Sequence, residues 1–125
     1  MGMAEPRIRY AVWLMERHRA APLPIGEIAR AVNLSPAHLT RLFRRELGRS
    51  PARVCRDMRL AHARRLLQSS FLTVKQVMAA CGWNDPSHFC REFKRQYGYS
   101  PTALRVSARR PAAEAIDIVE RRAAG

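Results

Sequence analysis

Apolar residues recur along the chain at the spacing of amphipathic helices, and the pattern divides into about seven of them. Across residues 7–20, Ile8, Ala11, Val12, Leu14 and Met15 fall on one side with Arg and Glu elsewhere, which predicts a first helix. Trp13 lies near that apolar face and is expected to fill a core or boundary position rather than a binding site. Ala21, Pro22, Leu23 and Pro24 then break the pattern, because proline cannot continue a helix interior but can begin the next helix. Residues 25–32 read as a short second helix with Ile28, Ala29 and Val32 inward, followed by a tight connection at Asn33 and Leu34. Ser35-Pro36 starts a third helix: serine caps orphan amides, and proline loses nothing at the first helical position. It runs to about Leu47, where Gly48 supplies the backbone freedom to stop. Two short helices across a tight turn make a helix-turn-helix.

Ser50-Pro51 repeats the start signal and opens the longest periodic stretch, with Val54, Met58, Ala61, Leu66 and Leu67 as its apolar side. At the helical rise this stretch is roughly 25 Å long, a strut whose flanks carry Cys55, Arg59, His62 and Arg65. Thr73 with Gln76 fits a capping box and opens a helix over residues 74–81, in which Val77, Met78 and Cys81 repeat Ile28, Ala29 and Val32. The following connection, Gly82-Trp83-Asn84-Asp85, is one residue longer than its counterpart Asn33-Leu34-Ser35, and Trp83 is expected to plug the core. Asp85-Pro86 begins the next helix, Gly98 ends it, and Ser100-Pro101 starts a short last helix to about Val106.

The expected organisation is therefore all-α, with two helix-turn-helix subdomains, residues 7–52 and 70–106, joined by a long central helix over 53–69. Residues 1–6 are expected to be disordered, and residues 107–125, broken at Pro111, to form a peripheral helix or flexible tail.

The two units are a duplication. Residues 36–51, PAHLTRLFRRELGRSP, return fifty positions later as PSHFCREFKRQYGYSP, with identities at Pro36/Pro86, His38/His88, Arg41/Arg91, Phe43/Phe93, Arg45/Arg95, Gly48/Gly98, Ser50/Ser100 and Pro51/Pro101. In the first copy Leu39, Leu42, Phe43, Glu46 and Leu47 share one side, while Ala37, Arg41, Arg44 and Arg45 point the other way. In the second copy Phe89, Phe93 and Tyr97 face inward and Ser87, Arg91, Lys94 and Arg95 outward. A basic face thus recurs in register.

Charge gives that face a partner. Lys and Arg outnumber Asp and Glu by 23 to 10 in 125 residues, a net +13, which points to an anionic partner such as nucleic acid. Most of the excess is Arg, whose fork suits phosphates and guanine edges, and small residues followed by forked cations suit a major groove. Arg41 and Arg91 are the first candidates for base reading; Arg44, Arg45, Lys94 and Arg95 for contacts to the DNA backbone. His38 and His88 stand at the edge of the face, where DNA contact and partial burial both remain open. Cys90 neighbours Arg91, either as a small residue able to touch a thymine methyl or as a thiol near cations.

Other classes find less support. Cys55, Cys81 and Cys90 have no CxxC spacing and suit a reducing compartment; neither a metal site nor a cofactor motif is readable. There is no phosphate-cradling glycine loop and no nucleophile with a placed base, so an enzyme is not expected. The N-terminal residues lack the apolar core of a signal peptide, and no apolar run reaches the ~20 residues a membrane span needs. Two alternatives to a sequence-specific reader stay open: a basic helical protein-interaction module and a non-specific nucleic-acid-binding protein.

Over residues 7–106 the chain resembles the DNA-binding domain of the AraC/XylS family of transcription regulators. The most specific segment is ACGWNDPSHFCREFKRQYGYSP, residues 80–101; IGEIARAVNLSPAHLTRLFRRELGRSP is similar to the family's more variable first unit. The resemblance implies two recognition helices entering successive major grooves of a bipartite double-stranded site. By position it implies base reading by Ala37, Thr40 and Arg41 in the first helix and by Pro86 or Ser87, Cys90 and Arg91 in the second. Ala37 is small where some relatives carry a larger side chain, which leaves Arg41 as the first unit's main reader. The resemblance further implies a bacterial cytoplasmic protein at the nucleoid that activates transcription by touching RNA polymerase. Many members carry an effector or dimerisation domain, which here would be fused to this stretch or lost.

Overall fold

The computed structural model describes residues 5–108, which form seven helices and no strand. They are α1 (Pro6–Arg17), α2 (Ile25–Ala31), α3 (Pro36–Leu47), α4 (Pro51–Ser69), α5 (Val74–Ala80), α6 (Pro86–Tyr97) and α7 (Pro101–Ala108). The tail expected over residues 107–125 lies outside the described residues from position 109 onward; Ser107 and Ala108 belong to α7.

The chain starts its first helix earlier than the sequence suggests. Glu5 caps α1, its carboxylate accepting from the Arg7 amide at 3.0 Å, and Pro6 occupies the first turn. The disorder expected over residues 1–6 therefore does not extend to Glu5 and Pro6; residues 1–4 lie outside the described set. At its other end α1 stops at Arg17, short of residue 20, where the His18 amide donates to the carbonyls of Leu14 and Met15. Trp13 is 47 % exposed and so is not a core residue. At 3.6 residues per turn it lies about 140° round from Ile8, and there it stacks on Tyr10 (centroids 5.5 Å apart) under the Arg17 guanidinium.

The described chain divides into two compact units, one ending at Arg59 and one beginning at Leu60. In the first, Ile8, Ala11 and Met15 of α1, Ile28 and Ala29 of α2 with the adjoining Val32, and Leu39, Leu42 and Phe43 of α3 pack with Val54 and Cys55. In the second, Leu60, Ala63 and Leu67 meet Val77, Met78, Cys81, Trp83, Phe89, Phe93, Tyr99, Ala103 and Leu104. Residues of α4 before Arg59 serve the first core and those after it the second, so no single stripe describes this helix. That is why Cys55, read as a flank, is buried, and why Leu60 and Ala63 are buried while Met58, Ala61 and Leu66 are only half-buried.

Each helix-turn-helix bend is built the same way from different residues. Asn33 takes a left-handed φ of 60° and Gly82 one of 78°, a region in which glycine and, among side-chain-bearing residues, asparagine are the usual occupants. Leu34 N–H then donates to the Ala29 carbonyl at 2.9 Å, and Trp83 N–H to the Met78 carbonyl at 2.9 Å. These bonds close the ends of α2 and α5 and turn the chain toward the helix that follows.

Candidate nucleic-acid interface

α3 and α6 are twelve residues each, and their boundaries are fixed by matching chemistry. The Ser35 hydroxyl accepts from the His38 amide at 3.1 Å; the Asp85 carboxylate accepts from the Ser87 amide at 3.1 Å. Pro36 and Pro86 follow these caps, and Gly48 and Gly98 end the helices with their amides on the carbonyls of Arg44 and Lys94. The inner faces are anchored by wholly buried Leu39 and Phe43 in α3 and by Phe89 and Phe93 in α6. A helix so fixed at both ends and along one side presents its other side without freedom to roll.

On that other side the sequence-predicted residues fall as follows. In α3, Ala37, Arg41, Arg44 and Arg45 are exposed, while His38 and Thr40 are half-buried. In α6, Pro86, Ser87, Cys90, Arg91, Lys94 and Arg95 are exposed and His88 is half-buried. Trp83, buried to 5 %, fills the core as expected; the His88 ring meets its edge at 5.2 Å and Phe89 lies at 5.6 Å. Each unit therefore gathers its predicted residues along one helix, with the histidine at the margin.

The cations are not equivalent. Arg45 pairs with Glu46 at 3.6 Å and Arg95 with Glu92 at 3.2 Å, so both outermost arginines are tethered to acids on their own helices. Glu92 was not singled out from the sequence, although its spacing from Arg95 is a helical neighbour's; it is buried to 8 %. Thr40 differs from its counterpart Cys90 in a related way: its hydroxyl donates back to the Pro36 carbonyl at 2.9 Å. Among the cysteines, Cys90 is exposed, whereas Cys55 and Cys81 are buried. Burial pushes the Cys55 thiol up, with nearby Arg59 opposing.

Other features close the frame behind the site. In the first unit Asp57 pairs with both Arg49, just after α3, and Arg53, the latter at 3.3 Å. In the second, Arg64 donates to the Tyr99 hydroxyl at 2.9 Å while its guanidinium lies 4.8 Å from the Tyr97 ring centroid. Among the described residues no group of His, Cys, Asp and Glu is arranged to hold a metal ion, and no helix is long and apolar enough to cross a membrane.

Two tandem helix-turn-helix units, each displaying one cationic helix, define the class. A family described as a helix-turn-helix domain matches residues 28–107. The chain belongs to the AraC-type helix-turn-helix family of transcriptional regulators. It is 38 % identical over 104 residues to the HTH-type transcriptional regulator GlxA of Rhizobium meliloti, covering 83 % of this chain and 32 % of that one. Among solved structures it is similar to a transcriptional regulator from Chromobacterium violaceum with an AraC-type DNA-binding domain, at TM-score 0.79 and 33 % identity over 85 % of this chain and 95 % of that one. It is also similar to the DNA-binding domain of the global transcriptional factor AdpA in complex with a target DNA, at TM-score 0.78 and 28 % identity, covering 84 % and 95 %. The chain spans about a third of the length of the curated relatives it matches.

Proposed function

We propose that the chain binds double-stranded DNA sequence-specifically and thereby regulates transcription, with α3 and α6 as recognition helices. The observation that carries this reading is the duplicated face: Arg41 and Arg91 occupy equivalent exposed positions on helices anchored by the same caps, stops and aromatic core residues. A docking module has no need of two registered cationic faces, and a non-specific binder has no need to keep them in register. The likeness to a domain solved on its target DNA supports the same reading.

In this scheme Arg41 and Arg91 read base edges together with Ala37, Thr40, Pro86, Ser87 and Cys90. Arg44, Arg45, Lys94, Arg95, His38 and His88 contact the backbone or the groove edge. The two helices enter successive major grooves of one bipartite site, and regulation is activation through a contact with RNA polymerase. The chemistry of the site is recognition and not catalysis, and the protein works in the bacterial cytoplasm at the nucleoid.

The test is a comparison of variants on a selected site and on its scrambled version. Arg91→Ala is expected to lose about 1 to 3 kcal/mol at one base pair and to relax preference there, whereas Lys94→Ala weakens both duplexes equally. Equal losses on both duplexes for both variants would leave only non-specific binding.

A further inference from the structure

Resting on that reading, we infer that Thr40 reads DNA through its methyl group, so that α3 selects a thymine beside the guanine taken by Arg41. The inference starts from a hydrogen bond. The Thr40 hydroxyl proton is committed to the Pro36 carbonyl one turn back, at 2.9 Å. The α-helical partner of this carbonyl is the amide of Thr40 itself, and the carbonyl's second lone pair takes the hydroxyl; Pro36 stands at the first position of α3. A β-branched side chain held in this way has few rotamers left. Its hydroxyl has no proton to offer a base acceptor such as guanine O6 or thymine O4, and the methyl is the apolar group the side chain has for a thymine C5-methyl.

The neighbours reinforce this. Ala37, one turn before Arg41, is exposed and adds a second methyl to the same side of α3. Arg41 is then the one member of this helix's predicted base-reading trio with protons to donate to a base. A pair of methyls next to a guanidinium fits a step in which a thymine C5-methyl adjoins guanine O6 and N7. The second helix differs at both positions, with Ser87 in place of Ala37 and Cys90 in place of Thr40. The pair of methyls beside an arginine thereby belongs to the first helix, and the two half-sites need not share a sequence.

The experiment uses the full chain and a duplex selected from random DNA, with the α3 half-site identified as the half whose preference relaxes in Arg41→Ala. Thymines there are replaced singly by deoxyuridine, which removes only the methyl, and binding is followed by fluorescence anisotropy. One uracil is expected to weaken the wild type about threefold to fivefold, the worth of one buried methyl. Thr40→Val keeps the methyl and keeps the discrimination; Thr40→Ser keeps the back-bonded hydroxyl and binds thymine and uracil alike. Helicity by circular dichroism confirms that both variants are folded. A wild type indifferent to uracil, a Thr40→Ser variant that still discriminates, or an α3 half-site without thymine would each overturn the inference. Absence of any preferred sequence would instead overturn the DNA-reading function beneath it.

Discussion

Arg95 is held to Glu92, one turn earlier on α6, by a 3.2 Å ion pair whose carboxylate side chain is 10 % exposed. The buried acid takes part of the charge of an arginine that would otherwise be fully available to phosphate. Each phosphate neutralised contributes about 0.9 to the slope of log affinity against log salt. Lys94→Ala is therefore expected to lower that slope by about 0.9, and Arg95→Ala by less. Glu92→Gln releases Arg95 and makes the slope steeper. Binding to one duplex across a salt series measures all three; equal slope changes for Lys94→Ala and Arg95→Ala would show that the tether has no effect.

Arg105 ties the last helix into the second unit. Its guanidinium, in a residue 7 % exposed, donates to the backbone carbonyls of Ser70 and Leu72, tying α7 to the segment that leads into α5. Replacement by Met keeps much of the volume but leaves two carbonyls without this donor. A loss of about 2 to 4 kcal/mol is expected, since hydrogen bonds to a charged group are worth about 1.5 to 3 kcal/mol each and the losses are only partly additive. Urea denaturation of the variant measures it, and a loss below about 1 kcal/mol would mean water replaces the contact.

The start of α1 is expected to depend on acid. Arg7 beside it lowers the Glu5 carboxyl from 4.5 to about 2, through side-chain and then backbone hydrogen bonds. A carboxylate depressed in the folded state contributes stability that is present above its unfolded value and is lost as pH falls through its folded value. Protection of the Arg7 amide is thus expected to hold above about pH 4.5 and to fade as pH falls toward 2. Glu5→Gln should remove this pH dependence. The check is amide exchange by NMR, and identical profiles for the two proteins would contradict it.

Most of the fold was legible because the signals are local. Ser35-Pro36, Asp85-Pro86, Thr73 with Gln76, Gly48 and Gly98 are caps and stops whose chemistry acts within one turn, and the structure uses all of them. The apolar faces of α3 and α6 were equally plain, since each serves one core. Where a residue's surroundings come from distant parts of the chain, the pattern misled or was silent. Cys55, Leu60 and Ala63 lie on a helix that supplies two cores, and Arg105 finds its carbonyl partners more than thirty residues back. Periodicity leaves Trp13 between core and boundary because it borders the apolar stripe; the structure places it outside the core, stacked with Tyr10. In the site the exposed cations were legible from periodicity. The Glu92 tether and the Thr40 back-bond were not, because both depend on which rotamer a side chain adopts.

The central claim is that the chain carries two different readers serving one site. Selecting bound duplexes from random DNA with the full chain, then footprinting the winners, tests it most directly. The expected result is one bipartite motif whose unlike halves are centred about one helical turn, ~10 base pairs, apart, with Arg41→Ala relaxing one half and Arg91→Ala the other. A single short motif, a palindrome of identical halves, or no enrichment at all would contradict the account.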